Sequence, residues 1–333
     1  MYNYTITNLN THKLEEICND LAYMKENSIA DCPLIMMSLH PEGTPVENKA
    51  EEYCKKYDLF NQKLQELGVD CGILVQSTIG HGAHETNPHP FQKIVSFVKG
   101  NTVNVCCPYD EGFREYIKKS FTEIAKRKPK LVMVDDDFRL INRPGKGCAC
   151  HLHMKKFNEL ANTSLTREEL YDIITNKKEN YQKYYKIFIE IQKDSLLGAA
   201  KAMREGIDSV SPDTTGAICS CGNEFVPDIA NILKGKGNPV TIRINAGNYT
   251  TPSFHWFSVP MYNAAKQINT YEGKADTILA ETDTCPNNRY SKGAQILHAH
   301  FTGMIIEGVN GAKHWISNLK PYETASETAV INI

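Results

Sequence analysis

The chain has no apolar run approaching the roughly 18–20 residues that span a bilayer, so no membrane helix is expected. Its start, MYNYTITNLNTHKLEE, has neither the basic nor the apolar stretch of a signal peptide. An excess of one charge is also missing: 37 Lys and Arg against 39 Asp and Glu leave a net charge of −2, which argues against a nucleic-acid partner. No Gly-x-Gly-x-x-Gly follows the early strand-like runs and no Gly-Lys-Ser/Thr loop occurs. A nucleotide fold therefore lacks its fingerprint, and no organic cofactor is expected. Low-complexity segments and short-period repeats are absent as well. Cysteine is not scarce, but its 11 residues are odd in number and scattered. That pattern suits free or metal-bound thiols in a reducing compartment better than a disulfide framework, and a cytoplasmic location is the expectation.

What is present is ordinary globular chemistry, 41% hydrophobic and 23% charged over 333 residues, enough for one large barrel or two domains. Apolar runs at 34–39, 70–76, 131–136, 216–220, 240–245, 276–281 and 312–316 read as strands, with Met1–Thr7 as one more. Amphipathic helical stretches separate them, including a long one over Arg167–Glu205. Ile94–Phe97 and Val103–Val105, flanking Lys99-Gly100-Asn101, read as a small hairpin. Eight strand positions in near-strict alternation predict a single parallel (β/α)₈ TIM barrel over residues 1–333 rather than an open doubly wound sheet. The polar segment after the last strand is too short for a complete eighth helix, so the barrel is expected to be unfinished, as in a chain truncated at its C-terminus.

The segment from Leu131 to Phe157 carries the strongest signal. Four apolar residues, Leu131 to Val134, run into Asp135, Asp136 and Asp137, then Arg139, and Cys148-Ala-Cys150-His151-Leu-His153 follows. Three carboxylates at the end of a buried strand repel one another and resist desolvation, so their assembly points to a site. The Cys/His cluster holds soft metal ligands and suggests a metal-stapled loop beside that site.

Placed at the upper rim of a barrel, the other strand ends supply more chemistry. His40 and Glu42 follow the second strand, and Gln76, His81, His84 and Glu85 the third. Cys221, Asn223 and Glu224 follow the fifth; Asn245, Asn248 and Tyr249 the sixth; Glu281, Asp283 and Arg289 the seventh. Trp315 lies on the eighth. Two acidic groups facing each other, with amides, histidines and an indole between, are the equipment for holding and cleaving a sugar. Strand alternation puts Asp135 and Asp137 on one face, which makes Asp137 the preferred acid/base, with Asp135 supporting.

Val134-Asp-Asp-Asp137, ahead of Cys148-x-Cys150-x-x-His153, resembles the fourth-strand region of family-42 β-galactosidases in glycoside hydrolase clan A. Ala280-Glu-Thr-Asp-Thr-Cys285 resembles that clan's seventh strand, and the segment from Asn287 to Ile316 is similar to related bacterial glycosidase-like barrels. The resemblance implies a retaining glycosidase with Glu281 as nucleophile and Asp137 in the place of the family's Glu acid/base. Asp136 stands where the family has an Asn. Asp135, Asp136, Arg139, His40, Gln76, His81, Tyr249, Asp283, Arg289 and Trp315 become substrate-binding candidates. It also implies a structural zinc on Cys107, Cys148, Cys150 and His153, with His151 and Cys106 as adjacent substitutes. Two other readings stand beside it: a metal-dependent hydrolase using the aspartates with His81, His84 or His40, and a degenerate barrel that binds carbohydrate without turnover. No membrane partner is expected, and homo-oligomerisation is left open by the sequence.

Overall fold

The computed structural model describes residues 2–81, 88–220, 222, 225–245, 249, 258–284 and 292–315. Eight strands close into a barrel: β1 (Tyr2–Thr7), β2 (Cys32–Ser38), β3 (Gly72–Gln76), β6 (Leu131–Val134), β7 (Thr215–Cys219), β8 (Thr241–Arg243), β9 (Thr277–Glu281) and β10 (Gly311–His314). Every barrel pairing is parallel, and β1 pairs with β10 to seal the cylinder, Tyr2 opposite Gly311 and Thr5 opposite His314. A Cβ on Gly311 would overlap the Tyr2 carbonyl oxygen, so closure at this register requires glycine. The remaining two strands, β4 (Lys93–Val95) and β5 (Thr102–Cys106), form the expected antiparallel hairpin between β3 and β6.

The helices follow their end signals. In α3 (Glu111–Ala125), Asp110 caps the start by accepting from the Phe113 N–H at 2.8 Å, while Phe113, Ile117, Phe121 and Ile124 form the buried stripe. The other covering helices are α1 (Leu14–Glu26), α2 (Lys49–Glu66), α7 (Val226–Leu233), α8 (Ser258–Tyr271) and α9 (Ala294–Glu307). Among the described residues, no helix is long and apolar enough to cross a membrane.

The region between β6 and β7 departs from the sequence expectation. Cys148 and Cys150 lie in the expected loop, but where one helix over Arg167–Glu205 was expected the region holds three: α4 (His151–Ala161), α5 (Arg167–Thr175) and α6 (Tyr181–Asp208). The long stretch breaks because Lys177 and Asn180 both take positive φ, and Asn180 is left-handed at the start of α6. Thr166 and Glu169 form a reciprocal capping box that begins α5. These helices share a satellite core with the hairpin, built on Phe97, Phe157, Leu170, Phe188 and Ile191.

Two layers fill the barrel interior. Ile6, Leu34, Leu74, Leu131, Met133, Ala217, Cys219 and Leu279 make an apolar plug. Two residues beyond Leu74 and Leu279, the same inward face presents Gln76 on β3 and Glu281 on β9, and Arg243 on β8 and Lys313 on β10 join them around one cavity. The charged layer thus sits directly above the plug at the C-terminal mouth, where barrels build their sites. The segment expected to fall short of an eighth helix, 317–333, lies outside the described residues.

Candidate active site

The mouth of the barrel holds a cavity of about 290 Å³, lined by Gln76, His81, Asp135, Asp136, Arg243, Tyr249, Glu281, Asp283, Thr284, Lys313 and Trp315. That volume lies at the small end of the roughly 300–1,000 Å³ usual for ligand pockets, and suits one sugar ring. A larger groove of about 680 Å³ runs outside the barrel beside the hairpin and His151. Its Asp110 is committed to the Phe113 and Gln92 N–H groups, so that groove lacks the converging carboxylates of the mouth.

Arg243 organises the cavity. It is 1% exposed. Its Nη1 lies 3.0 Å from Glu281 Oε1, and its Nη2 lies 3.4 Å from Asp135 Oδ1 and 3.8 Å from Asp136 Oδ2. The Tyr249 hydroxyl donates to Glu281 Oε1 at 3.1 Å, and Gln76 Nε2 donates to Asp135 Oδ2 at 3.1 Å. On the opposite wall, Lys313 Nζ donates to Asp283 Oδ2 at 2.6 Å and stands 5.7 Å from the Trp315 ring centre. Arg139 approaches Asp136 from outside, at 3.4 Å.

These surroundings push the carboxyls apart. Burial alone would raise Asp135, but Lys313 and Arg243 hold it below the usual carboxylate range. Burial raises Asp136 against the pull of Arg243, with Asp135 adding repulsion. Burial likewise raises Asp283, outweighing the pull of Lys313, with Glu281 adding. Neighbouring carboxyls whose titrations are pushed in opposite directions are the arrangement acid/base catalysis uses.

The structure gathers seven of the proposed substrate residues, Asp135, Asp136, Gln76, His81, Tyr249, Asp283 and Trp315, with Glu281, around one cavity. It leaves three aside. Arg139 does not line the cavity and pairs with Asp136 at its edge. His40 is buried against His89, with ring centres 5.3 Å apart. Asp137 is buried and is not among the residues lining the cavity; Asp136 is. The alternation argument fails here because β6 stops at Val134 and a turn follows, with Phe138 N bonded to the Asp135 carbonyl and Arg139 N to that of Asp137. Beyond a strand end, alternate residues no longer share a face. Arg289, like His84 and Glu85, lies outside the described residues.

Arg243 and Lys313 escaped the sequence reading, although a signal was there. Each is a lone cation in a short strand of a parallel sheet, where both faces are covered, so each must point into an ion pair. His81, Asp135 and Asp137 also converge, with one ligand atom from each within 4.8 Å. Asp135 already accepts from Gln76 and Arg243, and the guanidinium would repel a cation there, so this trio is not assigned a metal.

Cys107, Cys148, Cys150 and His153 meet behind the mouth, all buried, with their ligand atoms within 4.8 Å of one another. Cys107 Sγ lies 3.5 Å from Cys150 Sγ and 3.4 Å from His153 Nδ1, and Cys150 Sγ lies 3.5 Å from His153 Nδ1. His153 Nε2 meets Ser195 Oγ at 3.3 Å, which leaves Nδ1 facing the thiols. Spacings near 3.5 Å are those of ligands roughly 2.0–2.3 Å from a common centre, so the residues fit a tetrahedral zinc.

No protein-family model and no curated protein matches the sequence. The fold is similar to that of β-galactosidase from Bacillus circulans sp. alkalophilus (TM-score 0.60, 13% identity, 94% of this chain and 50% of that one). It is also similar to β-galactosidase from the psychrophilic Marinomonas ef1 (0.64, 10%, 99% and 56%). The catalytic domain of β-amylase from Paenibacillus polymyxa is a further match (0.62, 12%, 94% and 92%). The chain thus spans about half the length of the β-galactosidases it matches, and at these identities the likeness establishes the barrel fold.

Proposed function

We propose that this barrel is a retaining glycosidase acting on terminal β-galactoside-like sugars, with Glu281 as nucleophile and Asp136 as acid/base. The observation that carries the reading is the placement of both carboxyls on one buried guanidinium inside a cavity sized for a single ring. Asp136 replaces Asp137 in the role the sequence suggested, because Asp136 lines the cavity and burial favours its protonated form.

In the first half-reaction a Glu281 oxygen bonds to the anomeric carbon as the bond to the leaving oxygen breaks, and Asp136 gives that oxygen its proton. In the second, Asp136 takes a proton from water, whose oxygen displaces Glu281 from the sugar. Tyr249 and Arg243 hold Glu281 Oε1, fixing the carboxylate plane for attack. Gln76, Asp283 and Lys313 offer donors and acceptors to hydroxyls, and Trp315 offers an indole face to the C–H side of the ring.

A zinc held by Cys107, Cys148, Cys150 and His153 would be structural, since four protein ligands leave no open position. It would join the end of β5 to the loop and helix after the aspartates, steadying the acid side of the cavity.

Hydrolysis of a nitrophenyl β-galactoside followed by proton NMR tests the reading. The first-formed free sugar should be the β-anomer. First-formed α-anomer would refute the covalent mechanism, and binding without any hydrolysis would favour the degenerate carbohydrate-binding barrel.

A further inference from the structure

Helix α6 supplies no ligand to the Cys/His cluster, yet it is bonded to every segment that does. Gln192 is buried, and its side-chain amide is committed to one residue. Its Oε1 accepts from the Cys148 N–H at 2.7 Å, and its Nε2 donates to the Cys148 carbonyl at 2.9 Å. One turn on, the buried Ser195 hydroxyl lies 3.3 Å from His153 Nε2. Asp194 accepts from the Tyr109 hydroxyl at 2.9 Å, and the Tyr109 ring centre stands 4.6 Å from that of His153. Arg114 completes the set: its Nε donates at 2.6 Å to the carbonyl of Pro108, next to Cys107, and its Nη2 at 3.4 Å to that of Ser195. Resting on the zinc reading above, we infer that Gln192 is a positioning residue that holds Cys148 in its metal-binding place before the metal arrives, with Ser195 doing the same for His153.

The backbone pattern explains why an amide is needed. Residues 147–149 run antiparallel to β4, where the Phe97 N–H donates to the Gly147 carbonyl at 3.3 Å and the Ala149 N–H to the Val95 carbonyl at 2.8 Å. Polar groups of successive residues on an extended segment point to opposite sides, so those of Cys148 face away from the hairpin. Cys148 is buried, and a buried peptide group needs a partner. In a wider sheet the next strand would supply it. Here one glutamine does, with a donor and an acceptor side by side. Gly147 lets the helix come this close: its φ is +114°, and a Cβ there would lie 2.8 Å from the Phe188 ring and 3.2 Å from Gln192 Oε1.

Ser195 acts through a proton count. Its one hydroxyl proton goes to the Gln192 carbonyl at 2.8 Å, so toward His153 it can only accept. His153 then carries its proton on Nε2, which leaves the Nδ1 lone pair facing Cys107 and Cys150. All these bonds run between groups of the chain itself, so they can form ahead of the metal. A site gathered in advance loses less freedom on binding, so removing the clamp weakens metal binding and not only the fold.

Competition with a chromophoric zinc chelator reads this on the purified protein. Gln192→Met nearly keeps the volume and loses both bonds, and it should raise the zinc dissociation constant by roughly 10- to 100-fold, the usual cost of losing a partner behind a ligand. Zinc should also raise the variant's melting temperature by less than it raises that of the wild type. Phe188→Leu is the control, since that ring lies against the same loop without bonding to it. It should melt earlier with its zinc affinity unchanged. Equal weakening in both variants, or a Gln192→Met protein that melts earlier and binds zinc as the wild type does, would make the residue merely structural and overturn the inference. Should Gln192→Met not fold, amide hydrogen exchange in the wild type decides. The Cys148 N–H should be protected in protein stripped of metal as well as in zinc-loaded protein; protection with zinc alone would mean that the clamp follows the metal. Wild-type protein that takes up no zinc from the chelator would refute the zinc reading and the inference with it, an outcome distinct from equal affinities in wild type and variant.

Discussion

Arg243 Nη1 and Glu281 Oε1 meet at 3.0 Å on adjacent barrel strands, with both residues at 2% exposure or less. The nucleophile assigned to this site is therefore fixed by a buried cation on one side and by Tyr249 on the other. Glutamine preserves its shape and an acceptor for both neighbours. Glu281→Gln should abolish hydrolysis of every glycoside while circular dichroism and melting remain close to wild type. Residual turnover on activated aryl glycosides would place the nucleophile elsewhere.

Asp136 and Asp137 are neighbours with different surroundings, so their amide variants separate the two assignments. Asp136→Asn should lose about 10²- to 10⁴-fold in turnover of substrates with poor leaving groups, the usual worth of acid/base catalysis. Dinitrophenyl glycosides, which need little proton donation, should be largely spared in the first step, and added azide should raise their turnover. Asp137→Asn should leave that leaving-group dependence unchanged; the opposite pattern would restore Asp137 as the acid.

The barrel was legible in the chain because parallel strands buried on both faces appear as short apolar runs, such as Leu131–Val134, between amphipathic helices. The hairpin and the meeting of Cys107, Cys148, Cys150 and His153 were legible for local reasons: turn chemistry in one case, the spacing of the cysteines and histidine in the other. Which aspartates line the cavity was not. Choosing Asp137 relied on strand alternation, and the strand ends one residue before the aspartates. Arg243 and Lys313 were hidden because a cation in a strand declares its partner only when distant strands close around it, as Arg243 and Asp135 do across 108 positions of sequence.

The zinc proposal has a direct stoichiometric consequence. Protein purified without added metal should carry one zinc per chain, and X-ray absorption should give three sulfur neighbours near 2.3 Å and one nitrogen near 2.0–2.1 Å. Cys150→Ser should lose the metal and lower the melting temperature. Ser195→Ala should weaken zinc retention more mildly, because His153 Nε2 loses the hydroxyl that orients its ring. A metal-free protein that melts at the same temperature as one supplied with zinc would refute the site.

Lys292 is buried beside His300 and its titration is pushed down to about 8 by burial. Its folded value thus lies below the unfolded one of about 10.4. The penalty for burying its charge is fully present below pH 8, and it disappears as the pH rises toward about 10.4. Lys292→Met should be more stable than wild type at pH 7, by up to roughly 3 kcal/mol, and the two urea-denaturation curves should converge by about pH 10.5. A stability difference that is constant across that range would contradict the assignment.

The covalent intermediate is the most direct test of the glycosidase account. A 2-deoxy-2-fluoro-β-galactosyl fluoride should react once per chain, and peptide mapping by mass spectrometry should place the sugar on Glu281. The Glu281→Gln variant should take up none. An adduct on Asp136, on Asp283 or at any other residue would contradict the account, as would hydrolysis of β-galactosides without any trapped adduct.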